Sequence, residues 1–261
     1  MPRLGAQPGD GAGTGGEERA MVRPRARAAH GTRFGAEAHR YDAVRPDYPA
    51  DALSLLGREW TGLDVCDLGA GTGILSRQLL DRGAAVVAVD PDEAALLRNP
   101  ASGRTGTAED TGLPTASCDV VTVAQAWHWF DEAAAAIEIG RILRPGGRLL
   151  ILINQLDVRV DWVLRLSRIM HAGDVYRPAY VPAPDGFSLV DRAVIDFATP
   201  LDIDGIVDLA RTRSYWLRSD AATRARVESN LRGYLTEEHP IDGAVDLPYM
   251  CLAYVLEPVR S

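Results

Sequence analysis

A doubly wound α/β sheet is the fold class this sequence predicts, on three observations. The glycine-rich stretch DLGAGTG, residues 67–73, joins an apolar strand-like run to residues at helical spacing. A second apolar run, AAVVAVDPD at 84–92, carries an acid, Asp90, at its end. Further apolar runs alternate with helical segments as far as Asn154. Strands alternating with helices at this spacing mark a parallel sheet covered on both faces.

The elements are justified in chain order. Residues 1–31 are dominated by glycine, proline, arginine and alanine, without an apolar period. Such a segment cannot offset the entropy of ordering itself, so a disordered leader is expected. It includes GAGTG at 11–15, with no strand before it and no helix after it, which reads as linker chemistry. The same pentapeptide at 69–73 has different flanks. Leu63, Val65, Cys66 and Leu68 make a strand before it, and Ile74, Leu75, Leu79 and Leu80 a helix after it, stopped at Gly83. After the strand at 84–92 come a short helix over 93–98 and a weak third strand ending in GTAED at 106–110. Leu113-Pro114 turns the chain into CDVVTVAQAWHWF, a fourth strand and its continuation. Residues 131–143 are helical, and RPGG leads into RLLILIN, a fifth strand of central character.

Beyond Gln155 the rhythm changes. WVLRLSRIMHAG at 162–173 predicts an amphipathic helix followed by a Tyr/Pro-rich tail, a lid element over the carboxyl edge. AVIDFA at 193–198 and MCLAYVLEPV at 250–259 are the last strands, with helices predicted over 204–213 and 221–239 between them. The expected organisation is a single domain over 32–261, with lid elements at about 155–188 and 204–239.

Composition fits that size of domain. The 261 residues are 46% hydrophobic and 25% charged, and the formal net charge is -8. An acidic chain gains nothing from the general attraction to phosphate backbones, which argues against a nucleic-acid partner. Cys66, Cys118 and Cys251 lie apart in apolar runs and form no zinc-type pair, so no metal is expected. The apolar runs fall short of a membrane span, and the N-terminal stretch has no apolar signal core; a cytoplasmic monomer or homodimer is expected.

The turn at 67–73 narrows the ligand. A dinucleotide fingerprint would need glycine at position 74, where this chain has Ile74, and no Gly-Lys-Ser/Thr triplet follows for a P-loop. Asp67 opens the turn instead. A carboxylate repels phosphate and suits a ligand with a cationic end. Asp90, at the tip of the second strand, suits a bidentate grip on ribose hydroxyls.

The residues of 34–49 (FGAEAHRYDAVRPDYP), 67–73 (DLGAGTG), Asp90, 106–114 (GTAEDTGLP), 125–131 (QAWHWFD) and 141–147 (RILRPGG) together carry a resemblance. The chain resembles class I S-adenosylmethionine-dependent methyltransferases, in the small-molecule branch called methyltransferase type 11 that includes trans-aconitate-like enzymes. The resemblance implies a mostly parallel, seven-stranded Rossmann-like sheet with helices on both faces. It implies S-adenosylmethionine as cofactor and S-adenosylhomocysteine as product. Asp67, Gly69, Gly71 and Gly73 would surround the methionine moiety, and Asp90 the ribose. Ala108 and Glu109 would lie beside the adenine, Gln125 would bracket the methionine end, and Tyr41 and Arg45 would close over the cofactor.

Transfer of a methyl group from a sulfonium needs alignment with the acceptor and exclusion of water. An acceptor of high pKa also needs a base, and His128 is the candidate because it follows the fourth strand at the carboxyl edge. Trp127 and Trp129 around it are candidate pocket walls, with core packing as the competing role. His171, Tyr176, Arg213 and Tyr215 are candidates to reach the acceptor from the inserted segments, Arg213 toward an anionic group. Two alternatives stand beside the small-molecule reading. One is nucleic-acid methylation, although QAWH replaces the Asn/Asp-Pro-Pro-aromatic run of amino-methyltransferases. The other is a cofactor-binding homologue that transfers no methyl, acting as a partner subunit or using the bound sulfonium in another reaction.

Overall fold

The computed structural model describes residues 44–173 and 176–259. The expected leader at 1–31 and Tyr41 lie outside the described residues. The first elements are α1 (Ala50–Ser54), β1 (Asp64–Leu68), α2 (Ile74–Leu80), β2 (Ala85–Asp90), α3 (Glu93–Leu96) and β3 (Ser102–Thr105). Next come β4 (Cys118–Ala124), a 3₁₀ turn (Trp127–Trp129), α4 (Glu132–Ile142) and β5 (Leu143–Leu156). The remainder is α5 (Asp161–Met170), β6 (Phe187–Leu201), α6 (Ile203–Arg211), α7 (Ser214–Arg218), α8 (Ala221–Gly233), a π turn (Tyr234–Glu238) and β7 (Val245–Pro258).

The seven strands form one sheet in the order β3-β2-β1-β4-β5-β7-β6. The first five run parallel, whereas β7 pairs antiparallel with both β5 and β6. The result is the expected doubly wound, mostly parallel sheet with a helical insertion. Strand order reverses between β1 and β4, so the crevice at their carboxyl ends is where ligands bind in such sheets.

The two faces explain why the strands read as unbroken apolar runs. Cys66, Leu68, Val121, Val123, Leu149 and Ile151 point into one core with Ile139 of α4. Val65, Val120, Leu150 and Leu152 point into the other with Leu75 and Leu79 of α2. Alternate residues are therefore buried on opposite sides. A third core holds the insertion: Val163, Leu166, Ile206, Leu209, Val227 and Leu231 pack with Leu156, Leu201, Leu247 and Tyr249 from the ends of β5, β6 and β7.

Boundaries differ from the sequence reading in the last part of the chain. β6 runs far beyond 193–198, because it is an edge strand with alternating exposure, while β7 begins at Val245, ahead of Met250, and ends at Pro258. Along β6, Asp191, Arg192 and Asp196 interrupt the apolar run without ending the strand, and Pro200 is tolerated at an edge. The helix expected over 204–213 ends at Arg211, and α7 starts separately after Arg213. The helix expected over 221–239 gives way after Gly233 to the π turn.

Candidate active site

The turn after β1 is built on close approach. The Gly69 amide donates to the Val89 carbonyl at 2.8 Å, which ties the turn to β2. A Cβ on Gly69 would stand 2.4 Å from the Ala126 Cβ, and one on Gly73 would stand 2.7 Å from Cγ of Asn99. Both glycines also have positive φ, +70° and +91°. Gly71 differs: a Cβ there would meet nothing within 4 Å, because it faces a cavity.

Asp67 is 1% exposed and accepts from the hydroxyls of Ser76 at 2.6 Å and Thr122 at 2.9 Å. Burial pushes its carboxyl up to about 6, against the lowering effect of those two hydroxyls. Asp90 accepts from the Gly71 amide at 2.9 Å through Oδ2 and from the Asp92 amide at 2.8 Å through Oδ1. Burial raises its carboxyl as well, and the two amides oppose the shift. Asn99 completes the support, donating to the Gly71 carbonyl at 3.3 Å and to Ser76 Oγ at 3.1 Å.

A cavity of about 810 Å³ opens over these groups at the carboxyl edge. That is toward the top of the range for small-molecule sites, roughly 300–1,000 Å³. Its walls include Arg45, Asp67, Gly69, Gly71, Asp90, Ala108, Glu109 and Gln125 from the cofactor set, and His128, Trp129, His171, Tyr176, Arg213 and Tyr215 from the acceptor set. Gly73 and Trp127 stand apart from it. Gly73 is turned toward Asn99 and Pro100, and Trp127, 2% exposed, is packed in the core edge-on to Phe130. The 3₁₀ turn accounts for this: consecutive residues lie about 120° apart, so Trp127 points inward while His128 faces solvent.

Charge is divided across the cavity. Its acids, Asp67, Asp90, Asp92, Glu109 and Asp131, all come from the carboxyl ends of β1 and β2 or from the turns after β2 to β4. Its described arginines, Arg45, Arg213 and Arg218, come from the segment before α1 and from the insertion. Arg45 donates from Nε to Thr212 Oγ1 at 3.0 Å, next to Arg213, and Arg213 is 7% exposed with Nη1 donating to the Ala172 carbonyl at 3.4 Å. His171 stacks on Tyr215 with ring centroids 3.9 Å apart, joining α5 to α7. Gln155 holds the Tyr176 backbone at both ends, donating to its carbonyl at 2.6 Å and accepting from its amide at 3.2 Å. Glu109 accepts from the Asp131 amide at 2.9 Å.

Tyr48, Thr72, Asn154, Gln155 and Arg218 also line the cavity and were not singled out from the sequence. Asn154 and Gln155 carry a readable signal, two amides closing an apolar strand. The others have none. Among the described residues no cluster of His, Cys, Asp or Glu could hold a metal ion, and no helix is long and apolar enough to cross a membrane.

Comparison with known proteins agrees with this geometry. Residues 66–151 match the methyltransferase domain family. An uncharacterized methyltransferase of Mycobacterium tuberculosis is 39% identical over 226 residues, spanning 83% of this chain and 92% of that protein. An uncharacterized methyltransferase-like protein of Schizosaccharomyces pombe is 27% identical over 73% of this chain and 81% of its own length. A solved structure described by type alone, as a type II methyltransferase of Anaeromyxobacter dehalogenans, superposes with a TM-score of 0.55 at 26% identity, covering 82% of this chain and 97% of that one. The open face of Gly71, the acid at the tip of β2 and the cavity volume all fit S-adenosylmethionine. The chain belongs to the methyltransferase domain family and is an S-adenosylmethionine-dependent methyltransferase.

Proposed function

We propose that this enzyme methylates a small molecule held between the glycine turn and the helical insertion. The observation that carries the reading is the single cavity wall shared by both: cofactor-side acids and insertion-side arginines and aromatics face one space of about 810 Å³. The bound cofactor supplies an activated methyl on a sulfonium. Every other requirement falls to the chain. Asp90 receives the ribose hydroxyls on its remaining lone pairs, with its orientation fixed by the Gly71 and Asp92 amides. Asp67 lends negative charge beneath the methionine end, Gly69 and Gly71 give backbone room, Ala108 and Glu109 flank the adenine, and Gln125 and Arg45 close the methionine side.

The acceptor lies against His128, Trp129, His171, Tyr176, Arg213 and Tyr215. His128 is exposed on the cavity wall at the end of β4 and takes the acceptor proton. With the cofactor bound, these residues would hold the acceptor in line with the bond to sulfur, and that alignment would supply most of the acceleration. The two inserted segments, about 155–188 and 204–239, act as lids that keep water out, all within one catalytic domain. Within the family, the resemblance of its motifs supports reading the chain with the trans-aconitate-like branch, a grouping by sequence and not by acceptor atom. The test is incubation with methyl-labelled S-adenosylmethionine and a fractionated metabolite extract. Label moving to a small molecule, and not to nucleic acid or protein, supports the reading; no transfer in the presence of measured cofactor binding overturns it.

A further inference from the structure

Three side-chain amides stand at the carboxyl ends of β4 and β5, and their hydrogen bonds differ. Gln125 donates to the Asn154 carbonyl. Gln155 is bonded at both ends to Tyr176. Asn154 is used on one side alone among the described residues: Nδ2 donates to the Asp47 carbonyl at 3.2 Å, while Oδ1 is buried with no hydrogen-bond partner among them. The residue is 5% exposed and lines the cavity. Its polarity is fixed. Turning the amide over would set oxygen against the Asp47 carbonyl oxygen, so the nitrogen must face Asp47 and the oxygen must face the other way.

Position says which ligand that oxygen meets. Most cofactor-side groups stand at the ends of β1, β2 and β3, with Gln125 at the end of β4, whereas β5 lies two strands beyond β1 in the other direction, about 10 Å at the usual strand spacing. A donor that reaches Asn154, one strand beyond Gln125, is assigned to the molecule on the far side of the sulfur. We propose that Asn154 Oδ1 receives a hydrogen bond from the methyl acceptor, and that the acceptor is a protic nucleophile, a hydroxyl or an amine, and not a carboxylate. A carboxylate has no hydrogen to give at neutral pH and is repelled by an amide oxygen. His128, at the end of the neighbouring strand, has a purpose for a protic acceptor alone. The acceptor oxygen or nitrogen bonds to the methyl carbon, the carbon–sulfur bond breaks with its electron pair left on sulfur, and the acceptor proton passes to His128. The inference rests on the small-molecule reading above and narrows it to an acceptor class.

The experiment uses the whole protein with methyl-labelled S-adenosylmethionine and fractionated metabolite extract, followed by mild alkali. Methyl esters release methanol under those conditions; methyl ethers and N-methyl groups do not. Alkali-stable label, placed on oxygen or nitrogen by fragmentation, is expected. Alkali-labile label or a C-methyl product overturns the acceptor class while leaving methyl transfer intact. No transfer at all overturns the small-molecule reading and this inference with it. The second arm is Asn154→Leu, expected to slow labelling about tenfold or more at limiting extract with S-adenosylhomocysteine affinity within about twofold. Equal loss of cofactor affinity, or undiminished labelling, removes Asn154 from the acceptor. If the variant does not fold, the alkali result on the unaltered protein still decides the class.

Discussion

The Gly71 amide donates to Oδ2 of Asp90 at 2.9 Å, so the glycine turn after β1 and the acid closing β2 form one unit. Asp90 thereby shapes the turn and faces the cavity at once. Asp90→Ala is expected to weaken S-adenosylhomocysteine binding about tenfold or more by calorimetry, roughly 1.4 kcal/mol. Unchanged affinity would remove Asp90 from the ribose.

The three glycines of the turn separate fold from ligand. Gly69→Ala brings a Cβ to 2.4 Å from that of Ala126, and the backbone there is left-handed. A thermal melt is expected to show a loss of about 2 kcal/mol or more. Gly71→Ala adds its methyl to open cavity, so the fold loses only about 1 kcal/mol for the left-handed alanine. Cofactor affinity is expected to fall far more in Gly71→Ala than its melting temperature does. A variant that binds normally would show that the cofactor does not approach this backbone.

The β1–β5 half of the fold was legible because both faces of each strand are buried. Val65 and Cys66, or Leu150 and Ile151, sit on opposite cores, leaving uninterrupted apolar runs bounded by glycine turns. β6 was underestimated because an edge strand shows water one face and mixes charge into its pattern. At the site, Asp67, Asp90 and the glycines announced themselves through local context. Asn99 did not, since its partner Gly71 is 28 residues away, and although Asn154 sits in a readable pair of amides closing β5, its partner Asp47 is 107 residues away and gave no local cue. Trp127 and Trp129 looked equivalent in sequence, and the 3₁₀ turn alone decides that the first fills the core.

With Asp67 beneath the methionine end, as proposed, cofactor binding and stability would oppose each other at this group. Its folded value of about 6 lies above the ordinary 3.8, so the folded chain binds the proton more tightly than the unfolded one. Ionisation of this group therefore costs stability: nothing below pH 3.8, a growing amount up to pH 6, and the full cost above, on the order of 2–3 kcal/mol. Asp67→Asn is expected to raise the melting temperature at pH 8 and to give little gain near pH 4. The Ser76 and Thr122 hydroxyls can turn to accept from the new amide. Affinity for the cationic cofactor is expected to drop about tenfold in the same variant at pH 8. An equal gain at both pH values would show that the Asp67 carboxyl titrates alike in the folded and the unfolded chain.

Glu138 ties the loop after β3 to α4. Its Oε1 accepts from the Thr111 amide at 2.9 Å, and its two oxygens accept from Arg141, with Nε to Oε2 at 2.7 Å. The Arg141 guanidinium holds this carboxyl down at about 2. A depressed value contributes stability that is complete above pH 4.5 and lost as pH falls toward 2. Glu138→Ala is expected to cost about 1–3 kcal/mol at pH 7, a difference that narrows on acidification through that window. A constant difference across pH 2–7 would assign the loss to packing.

His128 is the group whose removal should separate chemistry from binding. It is exposed on the cavity wall beside Trp129, with ring centroids 4.8 Å apart, while the bonds from Gly71 to Asp90 and from Asn99 to Gly71 that shape the glycine turn run between other residues. His128→Ala is therefore expected to leave S-adenosylhomocysteine affinity nearly intact and to lower turnover about a hundredfold or more. The variant should also lose the acid limb of the kcat profile, because an imidazole that must accept a proton is inactive once protonated. Alkaline conditions restore part of the rate as the acceptor ionises without help. A variant with normal turnover from pH 6 to 8 would leave the acceptor proton to solvent, and His128 would then be a wall of the pocket.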